Sequence, residues 1–116
     1  MIGLLMLFDL TTSPVTVEDL RPKVAGDSVP RWREMPGLRL KVFLSDSEAQ
    51  AFGALYLWET EEALAAAIPY LEASSTQRLT GVVPSMRRFD VEAIVEGQHS
   101  TPDLSQVGRA MAAAAP

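Results

Sequence analysis

An α+β domain built on a four-stranded antiparallel sheet is the fold class this sequence predicts, and three observations predict it. Residues 38 to 44 and 51 to 59 alternate as strands with two unlike faces do, and the polar stretch "SDSEAQ" between them suits a hairpin turn. Apolar residues at three- and four-residue intervals mark helices after Thr16 and after Thr60. The order is therefore strand, helix, strand, strand, helix, strand, the split βαββαβ or ferredoxin-like arrangement with both helices on one face of the sheet.

The first strand is the apolar run Ile2 to Phe8, closed by the turn-rich "DLTTSP". Thr16 is suited to N-cap a helix, with Glu18 and Asp19 at the positive end of its dipole and Val17, Leu20 and Val24 along one face. Gly26 and Pro30 interrupt that spacing. Two pieces are expected: a helix over residues 16 to 25, and a short turn carrying Trp32 after Ser28.

"MPG" at 35 to 37 precedes a strand that places Leu38, Leu40, Val42 and Leu44 on one face and Arg39, Lys41 and Phe43 on the other. The next strand, Ala51 to Glu59, leads directly to Thr60, the cap of a helix whose inward face is Ala63, Leu64, Ala67, Ile68 and Leu71. Pro69 should kink or restart that helix, because it lacks a backbone donor and crowds the turn before it. A last strand is expected over Ser85 to Val95. A terminal helix follows, capped at Ser100 or Thr101 with Pro102 in its first turn and Leu104, Val107 and Met111 at helical spacing. Residues 1–96 form the domain in this reading, and residues 97–116 a linker and C-terminal helix.

A chain of 116 residues is one domain, of a size that buries roughly two thirds of its unfolded surface. Its hydrophobic share of 47% and charged share of 22% are those of an ordinary globule. Cysteine is absent, which excludes disulfides, thiolate catalysis and Cys-based metal sites. A net charge of -5 with no Lys/Arg run argues against a nucleic-acid partner. The apolar N-terminus has no basic region before it, and Asp9 interrupts it too soon for a membrane span, so a cytoplasmic protein with no membrane partner is expected.

Alternation groups Leu4, Met6 and Phe8 with Lys41 and Phe43, and with Ala54, Tyr56 and Trp58, on the face opposite Leu55 and Leu57. A sheet face turned only to water would be polar there, so two apolar faces call for two coverings. The segments "LLMLF" at 4 to 8, "LRP" at 20 to 22, "PGL" with "KVF" at 36 to 43, "GALYLWETEEAL" at 53 to 64, "TQRLTGV" at 76 to 82, "FDV" at 89 to 91 and "LSQVGRAMA" at 104 to 112 resemble, in order and spacing, the YdhR-like family of proposed mono-oxygenases. That family belongs to the dimeric α/β barrel superfamily, together with the cofactor-independent antibiotic-biosynthesis mono-oxygenases. The resemblance spans nearly the whole chain and departs from the family at extra residues between Val24 and Met35 and in a longer link between Val91 and Asp103.

The resemblance implies a homodimer in which two sheets face each other. It implies that Tyr56 and Trp58 face the barrel, that Leu55 and Leu57 face the helices, and that the terminal helix reaches toward the partner. Haem-degrading members use an Asn on the first strand and a Trp and a His on the second helix. This chain has no Asn, and its second helix has neither Trp nor His, so that branch is disfavoured. The active-site Asn of the antibiotic-biosynthesis branch has no counterpart either.

No phosphate loop or dinucleotide fingerprint is present, and the lone His99, in a polar link, reads as a surface residue, so neither a cofactor nor a metal is expected. Oxygenation without a cofactor remains possible, because a deprotonated phenol, anthrone or hydroquinone can pass an electron to O2 itself. The protein then needs an apolar pocket, a base or anion stabiliser, and exclusion of water. Trp58, Phe43, Phe8, Met6 and Trp32 are the candidate substrate-binding residues. Tyr56, Lys41 and Arg88 are the candidate catalytic ones, with Arg87 in place of Arg88 if a bulge swaps them. The reading is a mono-oxygenase acting on a small hydrophobic, aromatic ligand. The rivals are a non-catalytic binding or sensing protein on the same barrel, and an accessory subunit assembled through the apolar tail.

Overall fold

The computed structural model describes residues 1–98 and 103–114, so the caps expected at Ser100 and Thr101, Pro102, and the lone His99 lie outside the described residues. Four strands, β1 (Ile2–Asp9), β2 (Leu38–Asp46), β3 (Ala51–Trp58) and β4 (Ser85–Asp90), form one sheet in the order β2-β3-β1-β4. All neighbouring pairs are antiparallel. Helices α1 (Val17–Lys23), α2 (Val29–Arg33), α3 (Glu61–Glu72), α4 (Ser75–Thr80) and α5 (Arg109–Ala114) complete the described chain. This is the ferredoxin-like α+β architecture, and among the described residues no helix is long and apolar enough to cross a membrane.

Thr16 caps α1 as its side chain suggested. Its hydroxyl accepts from the Asp19 N–H at 3.2 Å, while the Asp19 carboxylate accepts from the Thr16 N–H at 2.9 Å. Thr16→Ala should therefore lower stability by about 1 kcal/mol, read from a urea midpoint that shifts without a change in slope.

The interruption expected at Gly26 and Pro30 is corrected. The chain stays helical from Val17 to Arg33 through a π turn, Val24–Ser28, in which the Val29 N–H reaches back five residues to the Val24 carbonyl. Pro30 has no N–H to give and its ring crowds the turn before it, and one widened turn relieves both without ending the helix. The detour also turns Ser28, Arg31 and Trp32 toward the sheet.

Pro69 acts as its chemistry requires: α3 ends three residues beyond it, and α4 restarts under a Ser74 cap whose hydroxyl accepts from the Gln77 N–H at 3.2 Å. The last strand stops at Asp90 instead of continuing to Val95. The tail is not a single helix either. A short turn at Leu104–Gln106 is separated from α5 by Gly108, whose φ of 120° a right-handed helix cannot hold. Within the chain, α5 packs against α1 and the π turn.

The pairing register confirms the two residue sets on the sheet and corrects which of them the helices cover. Leu4, Met6, Phe8, Phe52, Ala54, Tyr56 and Trp58 are buried with Val17, Leu20, Val24, Trp32, Leu64, Ala67 and Leu71 in one core between sheet and helices. Leu7, Leu40, Val42, Leu44, Leu55 and Phe89 occupy the opposite, open face, each 37–45% exposed. Tyr56 and Trp58 thus face the helices, and Leu55 and Leu57 do not. Small Ala63 and Ala67 on α3 leave the depth that large rings need, whereas the open face is a flatter aliphatic surface. A β-bulge at Arg39 adds a further correction: Leu38 lies opposite Trp58 and packs on the core, apart from Leu40, Val42 and Leu44.

Candidate active site: a lysine in an aromatic box

The break between α3 and α4 and the turn of α2 leave a cavity of about 380 Å³ between the sheet and the helices. Its sheet wall carries Met6, Phe8, Lys41, Phe43, Phe52 and Tyr56, and its helix wall includes Trp32, Met35, Tyr70 and Leu71. Serine and arginine side chains supply the polar part: Ser28, Ser74 and Ser75, with Arg31 and Arg78. Gly53 also lines the sheet wall, and its lack of a side chain allows the close approach of β3 to β1.

Lys41 is the unusual member of the wall. Its ammonium nitrogen lies 3.6 Å from the ring centre of Trp32, 4.3 Å from that of Phe43 and 4.7 Å from that of Tyr56. Among the described residues no Asp or Glu lines the cavity. Burial, with smaller contributions from the positive charges of Arg31 and Lys23, pulls the Lys41 amine down from its ordinary 10.5 to about 6. Aromatic faces favour the protonated form by up to about 2 kcal/mol, less than the desolvation that opposes it. Burial thus biases Lys41 toward the neutral amine, the form able to accept a proton.

The rings around it brace one another. Trp32 meets Tyr56 edge-on at 5.5 Å between centroids, and Tyr56 stacks on Trp58 at 6.0 Å with 11° between planes. Burial pushes the Tyr56 phenol up, so it keeps its proton, and its hydroxyl donates to the Met6 sulfur at 3.5 Å. Trp58 is fully buried behind Tyr56 and outside the cavity wall, and its indole N–H has no hydrogen-bond partner among the described residues.

The fold therefore brings Met6, Phe8, Trp32, Lys41, Phe43 and Tyr56 to one cavity and leaves Trp58 as the support of Tyr56. Arg88 lies elsewhere: it is half-exposed on β4, paired with Glu61 at the start of α3, and it is not part of the cavity wall. Arg87 points to the open face, over the Phe89 ring. The arginines at the cavity are Arg31 and Arg78, which the strand pattern had no means of indicating because both lie on helices. The break signalled by Pro69 and the position of Arg31 beside Trp32 were the available clues. Among the described residues no group of three or more His, Asp or Glu is placed to hold a metal.

No protein-family model matches this chain, and no curated protein matches it at a significant level. Solved structures do. A monooxygenase encoded by ActVA-Orf6 of Streptomyces coelicolor, in complex with nanaomycin D, superposes with a TM-score of 0.61 at 18% identity over 84% of this chain and 92% of its own. A mutant of SnoaB, a cofactor-independent oxygenase from Streptomyces nogalater, gives 0.59 at 12% identity over 83% of this chain and 97% of its own. The fold is one that oxygenases use. A mutant of MhuD with two manganese protoporphyrin IX bound per active site gives 0.60 at 18% identity, over 84% of this chain and all of its own, so the same fold holds very different ligands.

Proposed function

We propose that this protein is a cofactor-independent mono-oxygenase of the YdhR-like kind, acting on an aromatic phenol, anthrone or hydroquinone. The observation that carries the reading is the Lys41 amine, set among Trp32, Phe43 and Tyr56 at the edge of a cavity of about 380 Å³ that no carboxylate lines among the described residues. The likeness of fold to SnoaB and the ActVA-Orf6 monooxygenase supports it.

In this mechanism the neutral Lys41 takes the acidic proton of a bound anthrone or phenol. The resulting anion passes one electron to O2, and the radical pair combines into a peroxide at the ring carbon. Loss of water across the C–O–O–H group breaks the O–O bond, leaving one oxygen atom as a new carbonyl and the other in water. The Lys41 ammonium gives its proton to the outer peroxide oxygen, and the neutral amine then takes the hydrogen left on the ring carbon and passes it to the departing hydroxide. Substrate supplies all four electrons that reduce O2, and atoms balance as substrate plus O2 giving ketone plus water. Tyr56, kept protonated, exchanges its weak bond to Met6 for one to the substrate oxygen. With ¹⁸O2, the purified protein should place one labelled atom in the product. Label arriving only from solvent water would count against the mechanism.

The open face completes the proposal. Leu7, Leu40, Val42, Leu44 and Leu55 lie side by side across three neighbouring strands, and a second copy of the same face is the covering that the resemblance implies. Leu55→Asp places a charge at its centre and should weaken dimerisation at least tenfold, as read by sedimentation at graded concentration. An unchanged assembly would remove this face from the interface.

A non-catalytic binding protein is the second reading, favoured by the Tyr56 hydroxyl donating to the Met6 sulfur and not to an acid or base. Lys41→Met separates the two readings, because a binder has affinity to lose and no turnover.

A further inference from the structure

The charged groups around the cavity are unevenly distributed. Lys23 of α1, Arg31 of α2 and Arg78 of α4 bring positive charge to its helix side, in a protein whose net charge is -5. The acidic group among them is Asp27 of the π turn, which lies 3.5 Å from Lys23 and 3.6 Å from Arg31 and is more than half exposed. Two hydroxyls collect the cations: Ser75 accepts from Lys23 at 2.7 Å and from Arg31 at 3.4 Å, and the buried Ser28 accepts from Lys23 at 3.3 Å. Ser28, Arg31 and Ser75 all line the cavity. Tyr56, whose phenol burial pushes up, also faces the cavity.

The geometry points to a substrate that is an aromatic acid: its ring lies in the box of Trp32, Phe43 and Tyr56, and its anionic group is held at the Ser28–Ser75 end by Arg31 and Lys23. This rests on the cavity being the substrate site of the proposed reaction, and it adds the chemical class of that substrate. A guanidinium and an ammonium already oriented by serine hydroxyls need little rearrangement to receive a carboxylate, and a charge-assisted hydrogen bond there is stronger than a neutral one. An anion at this end also offsets the positive charges that bear on Lys41.

The test compares 1-naphthoic acid with 1-naphthamide, which share the ring and differ in charge, by titration calorimetry at pH 7.5. The acid should bind about tenfold more tightly or better. Arg31→Gln and Lys23→Gln, each checked for an unchanged melting temperature, should each reduce the preference while leaving the amide's affinity in place. Equal affinities, a preference that survives both substitutions, or binding of neither compound would overturn the proposal. Oxygen uptake with neutral anthrones in the absence of any acid preference would overturn this inference alone. A clear acid preference without oxygen uptake on any substrate would overturn the oxygenase reading alone.

Discussion

Lys41→Met is expected to lower cofactor-free turnover by about 10² to 10⁴-fold, the range a positioned acid–base group contributes, while leaving the protein folded. It should do so with little loss of affinity for the aromatic part of the substrate, because methionine keeps the apolar length of the side chain among Trp32, Phe43 and Tyr56. The same substitution carries a stability signature with a defined sign. In the unfolded chain the amine holds its proton up to about pH 10.5, and in the folded protein only up to about 6. Between those values the unfolded state binds the additional proton, so wild-type stability rises with pH across the window. Below pH 6 both states are protonated and the penalty is complete.

Lys41→Met has no such group. Its stability advantage over the wild type should be largest near pH 6 and shrink toward pH 9, with a slope of at most about 1.4 kcal/mol per pH unit. Urea midpoints across that range measure it. A wild type and variant that keep a constant difference would mean that Lys41 is protonated in the fold, and the base role would fall with it.

Gly53→Ala should lower stability by about 3 kcal/mol, a fall of roughly 10 °C or more in the melting temperature. Gly53 pairs with Leu7 in the centre of the sheet, and a Cβ added there meets the Met6 carbonyl oxygen and comes within 2.9 Å of a Leu7 methyl. Backbone of a central strand cannot step aside as a surface side chain can. β1 would have to move, and Met6 and Phe8 would move with it at the cavity wall. Differential scanning calorimetry decides this, and a change below about 2 °C would show that the two strands are more loosely apposed than their register indicates.

The contrast between these two residues shows how far the sequence could be read. Strand alternation identified the two residue sets of the sheet, and Thr16, Thr60 and Pro69 announced the helix ends, because each of these signals is local. Which set the helices would cover is not local. It depends on the hand of the crossovers and on how much depth α3 leaves beneath it, so Tyr56 and Trp58 lie on the side opposite to expectation. The same limit applies to the site. Lys41, Phe43 and Tyr56 were within reach of strand reasoning, since neighbouring strands align them. Arg31 and Ser28 reach the cavity only because a π turn rotates the helix that carries them, and no residue pattern announces an extra residue in a helical turn. Arg88 was a reasonable candidate from spacing, and its place at a sheet edge beside Glu61 follows from β4 being the outermost strand.

Oxygen consumption by the purified, metal-free protein with anthrones, hydroquinones and naphthols, without flavin or nicotinamide and with autoxidation subtracted, tests the central claim most directly. The account predicts saturable uptake by the wild type that is lost in folded Lys41→Met. Uptake no faster than autoxidation for compounds shown to bind, or undiminished uptake in the variant, would contradict it.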